Sequence, residues 1–496
     1  MPTSTGKIYL GSTLLTGGES AVSWKRNPAW LTIPTVGNTE QKFVGLIAVS
    51  PNGTFTALRA QGNYTVDWGD GTTENISSGV QANHFFDYTD SDLNNTNAPV
   101  TLTGSTDLVT RNNHGYSNGD VITLWNISGT TGISNGQQYY VINSTTNTFQ
   151  ISETSGGSAV ALTGDGTATL LNYKQAIVVV TPQAGQNLTL LNINLRNSTS
   201  GLNQYEANWL DIELGSPNLT SLQISNSSTM NIYMKMLERV DIKSLGLITD
   251  LSSMFYSCTS LRSVSLLDTS AITNMYGLFI GCYSLESVPL FDTSSVTAMY
   301  NMFSDCYSLK SVPLFNTSSV TDMNNMFAYC YTLREVPLFD TSSVTDMSSM
   351  FNNCYTLKSV PLFDTSSVTN MDYMFSQCSS LHSIPTFNTS SVTTMVGMFQ
   401  YSQALNAIPA LNVSSVNSSD YFSGIFDGCK SISRIEAQDF NYSFSVENCR
   451  LSATALNEIY TNLPTVSGQS ITVTGNYGTS SDTPSIATGK GWTVVG

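Results

Sequence analysis

Cysteine recurs at 258, 282, 306, 330, 354 and 378, each 24 residues from the last, and again at 429. An evenly spaced row of thiols could bind metal, close disulfides or fill a dry core. Metal binding finds little support, because there is no C-x-x-C pair and the only histidines are His84, His114 and His382. Disulfides meet a geometric objection: equivalent slots of stacked repeats point in parallel, which suits successive S–S bonds poorly. Ser402 also takes the slot after Cys378 with the pattern around it intact. Cys258, Cys282, Cys306, Cys330, Cys354, Cys378 and Cys429 therefore read as a ladder of buried, free, small side chains.

Other residues invite chemistry more weakly. Tyr283, Tyr307, Tyr331 and Tyr355 follow the ladder cysteines directly and predict an aromatic column. Such a column could stack on sugar rings, or its rings could pack on one another. Acidic residues recur at Asp292, Asp340 and Asp364, but Asn316 and Asn388 share the slot. Glycoside hydrolysis needs two fixed carboxylates, so a slot that accepts Asn reads as a turn or cap. Asp67 and Asp70 could hold Ca²⁺ yet lack the acidic company of a calcium loop. His114 has no motif-placed Ser or Cys nucleophile with a matching acid and reads as a turn histidine. No catalytic residue, metal site or cofactor is expected, and the chain is not expected to be an enzyme.

What positions these residues is the repeat. Self-similarity every 24 residues means a solenoid, each unit burying its apolar face against its neighbours. Leu285, Val288 and Leu290 give an L-x-x-V-x-L strand signature. Val296, Met299, Met302, Phe303 and Cys306 recur at three- and four-residue steps, as on a short helix. "FDTSS" supplies turn and cap chemistry between them. The expected unit is strand, turn, short helix, turn. Looser copies (Trp209-Ile212-Leu214, Leu219-Leu222-Ile224, Leu237-Val240-Ile242) extend the solenoid to 188–448, with a cap over 449–496. Pro289, Pro313, Pro337, Pro361, Pro385 and Pro409 share one slot, each forfeiting a ladder donor. Arg334/Glu335, Lys358/Ser359 and His382/Ser383, with Tyr300, Asn324, Ser348, Asp372 and Val396, vary between copies and are expected to be exposed.

The repeat pattern F-D/N-T-S-S-V-T-x-M-x-x-M-F-x-x-C-x-x-L over about 250–430 resembles the leucine-rich repeats of BspA-type bacterial surface proteins and of the mycoplasma-lipoprotein-associated family. That resemblance implies a solenoid with adhesion roles and no chemistry of its own. The flanks, "NYKQAIVVVTPQAGQNLTLLNINLRN" and "LSATALNEIYTNLPTVSGQSITVTGNYG" onward, are similar to tail-fibre and other virion proteins of marine tailed phages, cyanophages especially.

In the N-terminal half, "YTVDWGDGTTENISSG" reads as strand, tight turn, strand, with Asp67 and Asp70 bonding turn amides. W-G-D-G-T resembles PKD-type immunoglobulin-like modules, with His84 at the strand start. The module is read as 25–98 and 172–187, split by an insertion at 99–171. The insertion's alternating strands, H-G-Y-S-N-G-D turn and "YYVIN…TFQIS" hairpin resemble a small β-barrel-like module of phage tail proteins. Residues 1–24 are read as an arm. The fold class is thus mainly β with short helices: an N-terminal β-sandwich with an inserted small β domain, then a leucine-rich-repeat solenoid with a C-terminal cap.

Bulk composition narrows the function. With 496 residues, 11% charged residues and a net charge of −16, the chain suits several Ser/Thr/Asn-surfaced β domains. Its acidity repels nucleic acid and anionic lipid. No apolar stretch is long enough to span a bilayer, and the start lacks a secretory h-region. The expectation is a non-enzymatic adhesion or structural protein of a tailed-phage virion, on the tail or particle surface, assembled in the host cytoplasm. Alternatives are a capsid-surface decoration or baseplate protein, and a BspA-type bacterial adhesin. Expected partners are other virion proteins through the N-terminal region and a host cell-surface glycan or protein. A homo-oligomer is expected; nucleic acid and membrane insertion are not.

Overall fold

The computed structural model describes residues 25–496 except 91–92, 94–97, 196–207, 226–233, 266–267 and 439. The arm expected at 1–24 lies outside the described residues, apart from the backbone pairing of Tyr9–Leu10 with Thr13–Leu14. Among the described residues no helix is long and apolar enough to cross a membrane.

Strand Lys42–Val49 is buried along nearly its whole length, as its apolar run demands, because both its faces are covered. It lies in a seven-stranded sheet, in the order Ser263–Val264, Arg239–Ile242, Trp209–Gly215, Lys42–Val49, Lys174–Pro182, Tyr64–Asp67 and Thr73–Ile76. A facing four-stranded sheet holds Ser221–Gln223, Leu190–Asn192, Thr54–Gln61 and Gln81–Phe86. Both sheets therefore begin as a sandwich and end as the first solenoid strands. Trp209 pairs antiparallel onto Ile47, and beyond it Trp209–Gly215, Arg239–Ile242 and Ser263–Val264 run parallel. One apolar core continues from Phe43 and Trp68 to Trp492. Gly45 makes the junction possible: a Cβ there would sit 2.3 Å from the Trp209 ring.

The middle coils depart from the expected unit. Among the described residues no strand forms between Val264 and Ala407, and the Met-x-x-Met-Phe segments are linked turns with no helix. Alternate amides of this segment cross to the next coil: Asn301 N to Asn324 O, Phe303 N to Met326 O and Asp305 N to Ala328 O, at 2.8–3.0 Å. Those between them close local turns, Met302 N to Met299 O, Ser304 N to Asn301 O and Cys306 N to Phe303 O, each 3.1 Å. Asn301 and Asp305 have φ of 57° and 62°, which resets the chain every four residues and excludes an α-helix. Linked turns that return inward at three- and four-residue steps leave the same apolar spacing as a helix face.

The predicted strand slot also differs. Ser265 donates its amide to Val240 O at 2.9 Å, which continues the parallel ladder. The next residue in that slot is Pro289, which has no amide, and the ladder stops. Leu285 is buried as expected, but Leu290 points into solvent and Phe291 takes the interior place. Threonine hydroxyls replace the lost bonds: Thr293 Oγ1 donates to Asn316 O, Thr317 to Asp340 O and Thr341 to Asp364 O, at 2.7–2.8 Å. Phe291 and Phe315 ring centroids are 6.0 Å apart and Phe339 and Phe363 6.5 Å, whereas Tyr283 and Tyr307 are 4.4 Å apart. The phenylalanine rings on the proline side therefore stand farther apart than the stacked tyrosines. Strand pairing resumes at Ala407–Asn412 with Arg434–Gln438, where Pro409 falls inside a register shift.

Residues 99–169 form a separate seven-stranded antiparallel sheet whose two edge strands, Val121–Thr123 and Trp125–Ser128, are joined by Leu124 alone. That single buried residue brings the edges together, so the sheet curls on itself. Its core merges with Trp30, Ile33, Val44 and Leu46 on the outer face of the sandwich. After the last coils, Phe444–Ser445, Gln469–Thr472 and Trp492–Val495 continue the parallel stacking. Helix Ala453–Asn462 is N-capped by Ser452 and buries Leu456, Ile459 and Tyr460.

Candidate functional site

All eight cysteines are free and buried. Each ladder thiol from Cys282 onward donates to the backbone of the preceding coil: Cys282 Sγ to Phe255 O, Cys306 to Phe279 O and Cys330 to Phe303 O, all at 3.2 Å. Cys354, Cys378 and Cys429 repeat the contact with Phe327, Phe351 and Phe399. Ser402 shows what the slot requires, since its hydroxyl donates to Phe375 O in the same way and accepts from Cys378 N. The slot wants a small side chain with one donor, a stricter demand than small size and apolarity. Burial pushes the Cys258, Cys282, Cys306, Cys330, Cys354 and Cys378 thiols far up, away from the reactive thiolate.

The tyrosine column forms. Tyr283, Tyr307, Tyr331 and Tyr355 stack with centroids 4.4, 4.6 and 4.9 Å apart and ring planes within 14° of parallel. The faces between neighbouring rings are therefore occupied, and Tyr307 and Tyr331 within the column are left with their edges and hydroxyls. Tyr307 donates to Asp305 and Tyr355 to Asn353. Burial, then the Asp305 carboxylate, pushes the Tyr307 hydroxyl up, so it is a donor at any ordinary pH.

The variable slots divide. Arg334, Glu335, Lys358, Ser359, His382 and Ser383 are exposed. Tyr300, Asn324, Asp372 and Val396 are half-buried, and Ser348 is buried. There the variation reflects bonds between coils: Asn324 Nδ2 donates to Ser348 O, and Asp372 Oδ1 accepts from Val396 N and Thr394 Oγ1. Variation between copies thus marked a change of partner in that row.

The recurring acids hold their own turns. Asp292, Asp340 and Asp364 accept through Oδ1 from the hydroxyl and amide two residues on, and Asn316 and Asn388 do the same. Those serine hydroxyls and then amides hold the three carboxyls below their usual pKa, the opposite of what a general acid requires. In the W-G-D-G-T turn, Asp67 Oδ1 accepts from Gly69 N, and Asp70 Oδ1 from Thr72 N and Oγ1. Asp70 Oδ2 lies 2.5 Å from His84 Nε2, and the His84 ring stacks on Trp68 at 4.7 Å. Burial opposes ionisation of Asp70, but bonds from the Thr72 hydroxyl, His84 and the Thr72 amide outweigh it and lower its pKa. His114 is buried against Tyr116 and Phe149, and its Nδ1 accepts from Tyr116 N. Among the described residues no three His, Cys, Asp or Glu side chains group as metal ligands.

A charged cluster escaped the sequence reading. Asp211, fully buried, accepts from Arg26 Nε at 2.7 Å and Arg239 NH1 at 2.8 Å. Arg239 and Lys243 also reach Asp241 at 2.5 and 2.7 Å, and Glu213 Oε1 takes Val36 N at 2.8 Å. Residues 25–36 thus strap the insertion (Lys25 to Asp120, 2.7 Å) and the sandwich (Leu31 N to Gln175) to the first solenoid strands. The signal was present: Asp211 and Glu213 alternate with Ile212 and Leu214 in a strand otherwise read only for its apolar face.

No curated protein sequence matches the chain. Two solved leucine-rich-repeat structures resemble it. The T. pallidum leucine-rich repeat protein is 20% identical, with a TM-score of 0.23, over 38% of this chain and 78% of that one. A leucine-rich repeat protein from Eubacterium ventriosum is 16% identical, with a TM-score of 0.29, over 40% of this chain and 59% of that one. The repeats themselves, over residues 249–361 and 332–440, match the family described as "Mycoplasma protein of unknown function, DUF285".

Proposed function

We propose that the chain is a non-enzymatic adhesion and structural protein of a tailed-phage virion. The solenoid is held out for host-surface recognition, and the N-terminal β domains attach it to other virion proteins. The observation that carries this reading is how the solenoid is mounted. Its first strands are the last strands of the sandwich sheets, and the buried Asp211 cluster clamps the joint, so the coils are held rigidly relative to their base. On that fixed frame the row Arg334, Lys358, His382 changes identity from coil to coil, which suits recognition by a broad face. The tyrosine column takes part through edges and hydroxyls. Gold-labelled antibody on particles, with purified full chain as competitor for adsorption to host cells, tests the reading. Label on the tail or particle surface with competition is expected. Label without competition leaves a decoration or baseplate role, and label only on bacterial envelopes sinks the virion assignment.

A further inference from the structure

Leu290, Leu314, Leu338 and Leu362 stand in solvent, 56%, 57%, 59% and 61% exposed. They fill one slot of consecutive coils and form a single stripe beside the half-buried Pro289, Pro313, Pro337 and Pro361. Thr386 and Ala410 occupy the slot in later coils, which ends the stripe. Isolated surface leucines are ordinary, but a contiguous stripe of roughly 400–500 Å² is of the size that marks a contact surface.

The margins of the stripe carry opposite charge in two of its coils. Four residues before the leucines stand Glu286, Lys310, Arg334 and Lys358, with Lys310 paired to Glu286 at 2.6 Å; two residues after them stand the exposed Asp292, Asn316, Asp340 and Asp364, so Arg334 faces Asp340 across Leu338 and Lys358 faces Asp364 across Leu362. No turn interrupts the chain between the two margins, so they lie on opposite sides of the leucines. We infer that this face pairs with the same face of a second copy, the two solenoids running parallel about a two-fold axis along their length. That symmetry lays leucine on leucine and sets Arg334 and Lys358 of each copy against Asp340 and Asp364 of the other. Turning one copy end for end sets Arg334 against Lys310 and Asp364 against Asp292. The prolines block strand addition along this edge, so the contact is made by side chains. About 800–1,000 Å² buried over both copies places the pair among weak, reversible complexes.

Sedimentation of the full chain across roughly 1–200 µM tests this. A concentration-dependent dimer is expected, and Leu338→Asp weakens it by about tenfold or more with no change in unfolding midpoint, since that side chain is exposed. Lys358→Asp and Asp364→Lys each weaken the dimer, and together they restore it. Leu290→Cys with a short bis-maleimide crosslinks to itself in the parallel pair, the native thiols being buried. A chain that stays monomeric, a dimer indifferent to Leu338→Asp, or crosslinking only between Leu290→Cys and Leu362→Cys chains overturns the inference. So does a stripe that is shielded only by a different protein.

Discussion

The joint and the middle coils solve one problem by different means. At the joint, strands with free amides at Asp241 and Ser265 pair as a sheet, and five charged side chains interlock around Asp211. In the middle coils the strand slot carries proline, the interior is neutral, and the hold comes from turn-side backbone bonds, threonine hydroxyls and stacked phenylalanines. A sheet can bind a solenoid to a sandwich because it has edges to share. Repetition needs only a contact that each coil can make again.

Breaking the stack should have the largest effect. Phe327 lies between Phe303 and Phe351 at 5.6 and 5.7 Å, and Phe327→Ala is expected to cost about 4 kcal/mol. Hydrogen exchange should place the loss in the flanking coils and leave the sandwich protected, because solenoid units feel only their neighbours. Asp211→Ala acts at the other region. It removes the buried carboxylate that Arg26 and Arg239 share and should cost about 3 kcal/mol by denaturant titration, with the loss mapped to Trp209–Gly215 and its neighbours. Loss spread evenly over the chain in either variant would erase the contrast.

Acid should separate the regions as well. The folded-state pKa of Asp70 is lowered, so its stabilisation is complete above the unfolded value near 4 and is lost as pH falls through the folded value. Asp70→Ala should therefore cost about 2 kcal/mol at neutral pH, and the gap to the parent should close in acid. A gap that persists undiminished in acid would show that packing around Trp68, and not the charge, sets the effect. Cysteine substitutions probe the neutral coils. Cys354→Ser should be tolerated within about 0.5 kcal/mol, as Ser402 is in its own coil, whereas Cys354→Ala removes the second donor to Phe327 O, which keeps the Cys330 amide, and costs about 1 kcal/mol.

The solenoid was legible because a 24-residue period in Cys, Met, Phe and Leu can be met only by stacking, and those side chains are buried where the period places them. The inner geometry was less so. A three- and four-residue apolar spacing fits both a helix and linked turns, and the residues that decide between them are small in most coils: Gly277, Asn301, Asn325 and Ser349 share one positive-φ slot with Tyr373, and Gly281, Asp305 and Asn353 another with Tyr329, Gln377 and Tyr401. Their preference for that conformation was the available clue. Leu290 misled for a related reason, since V-P-L-F puts two apolar residues after proline and alternation alone does not say which turns inward. The Asp211 cluster was hidden because its partners Arg26 and Arg239 come from distant segments, a juxtaposition that no local pattern encodes.

The finest division between the two regions is a single atom, the amide hydrogen that Ser265 has and Pro289 lacks. If proline causes the ladder to stop, Pro337→Ser returns a donor to the place from which Ser265 reaches Val240 O, and Val312 O is the equivalent acceptor. One new slowly exchanging amide should appear at 337, with stability changed by no more than about 0.5 kcal/mol, because the gained bond is offset by the freer unfolded chain. If the amide exchanges freely, the coils are held apart by something other than the missing donor. The Phe339 ring, stacked on Phe327 and Phe363, would then be what keeps the coils apart. In that case Phe339→Leu in the same background should let the coils close and protect the amide.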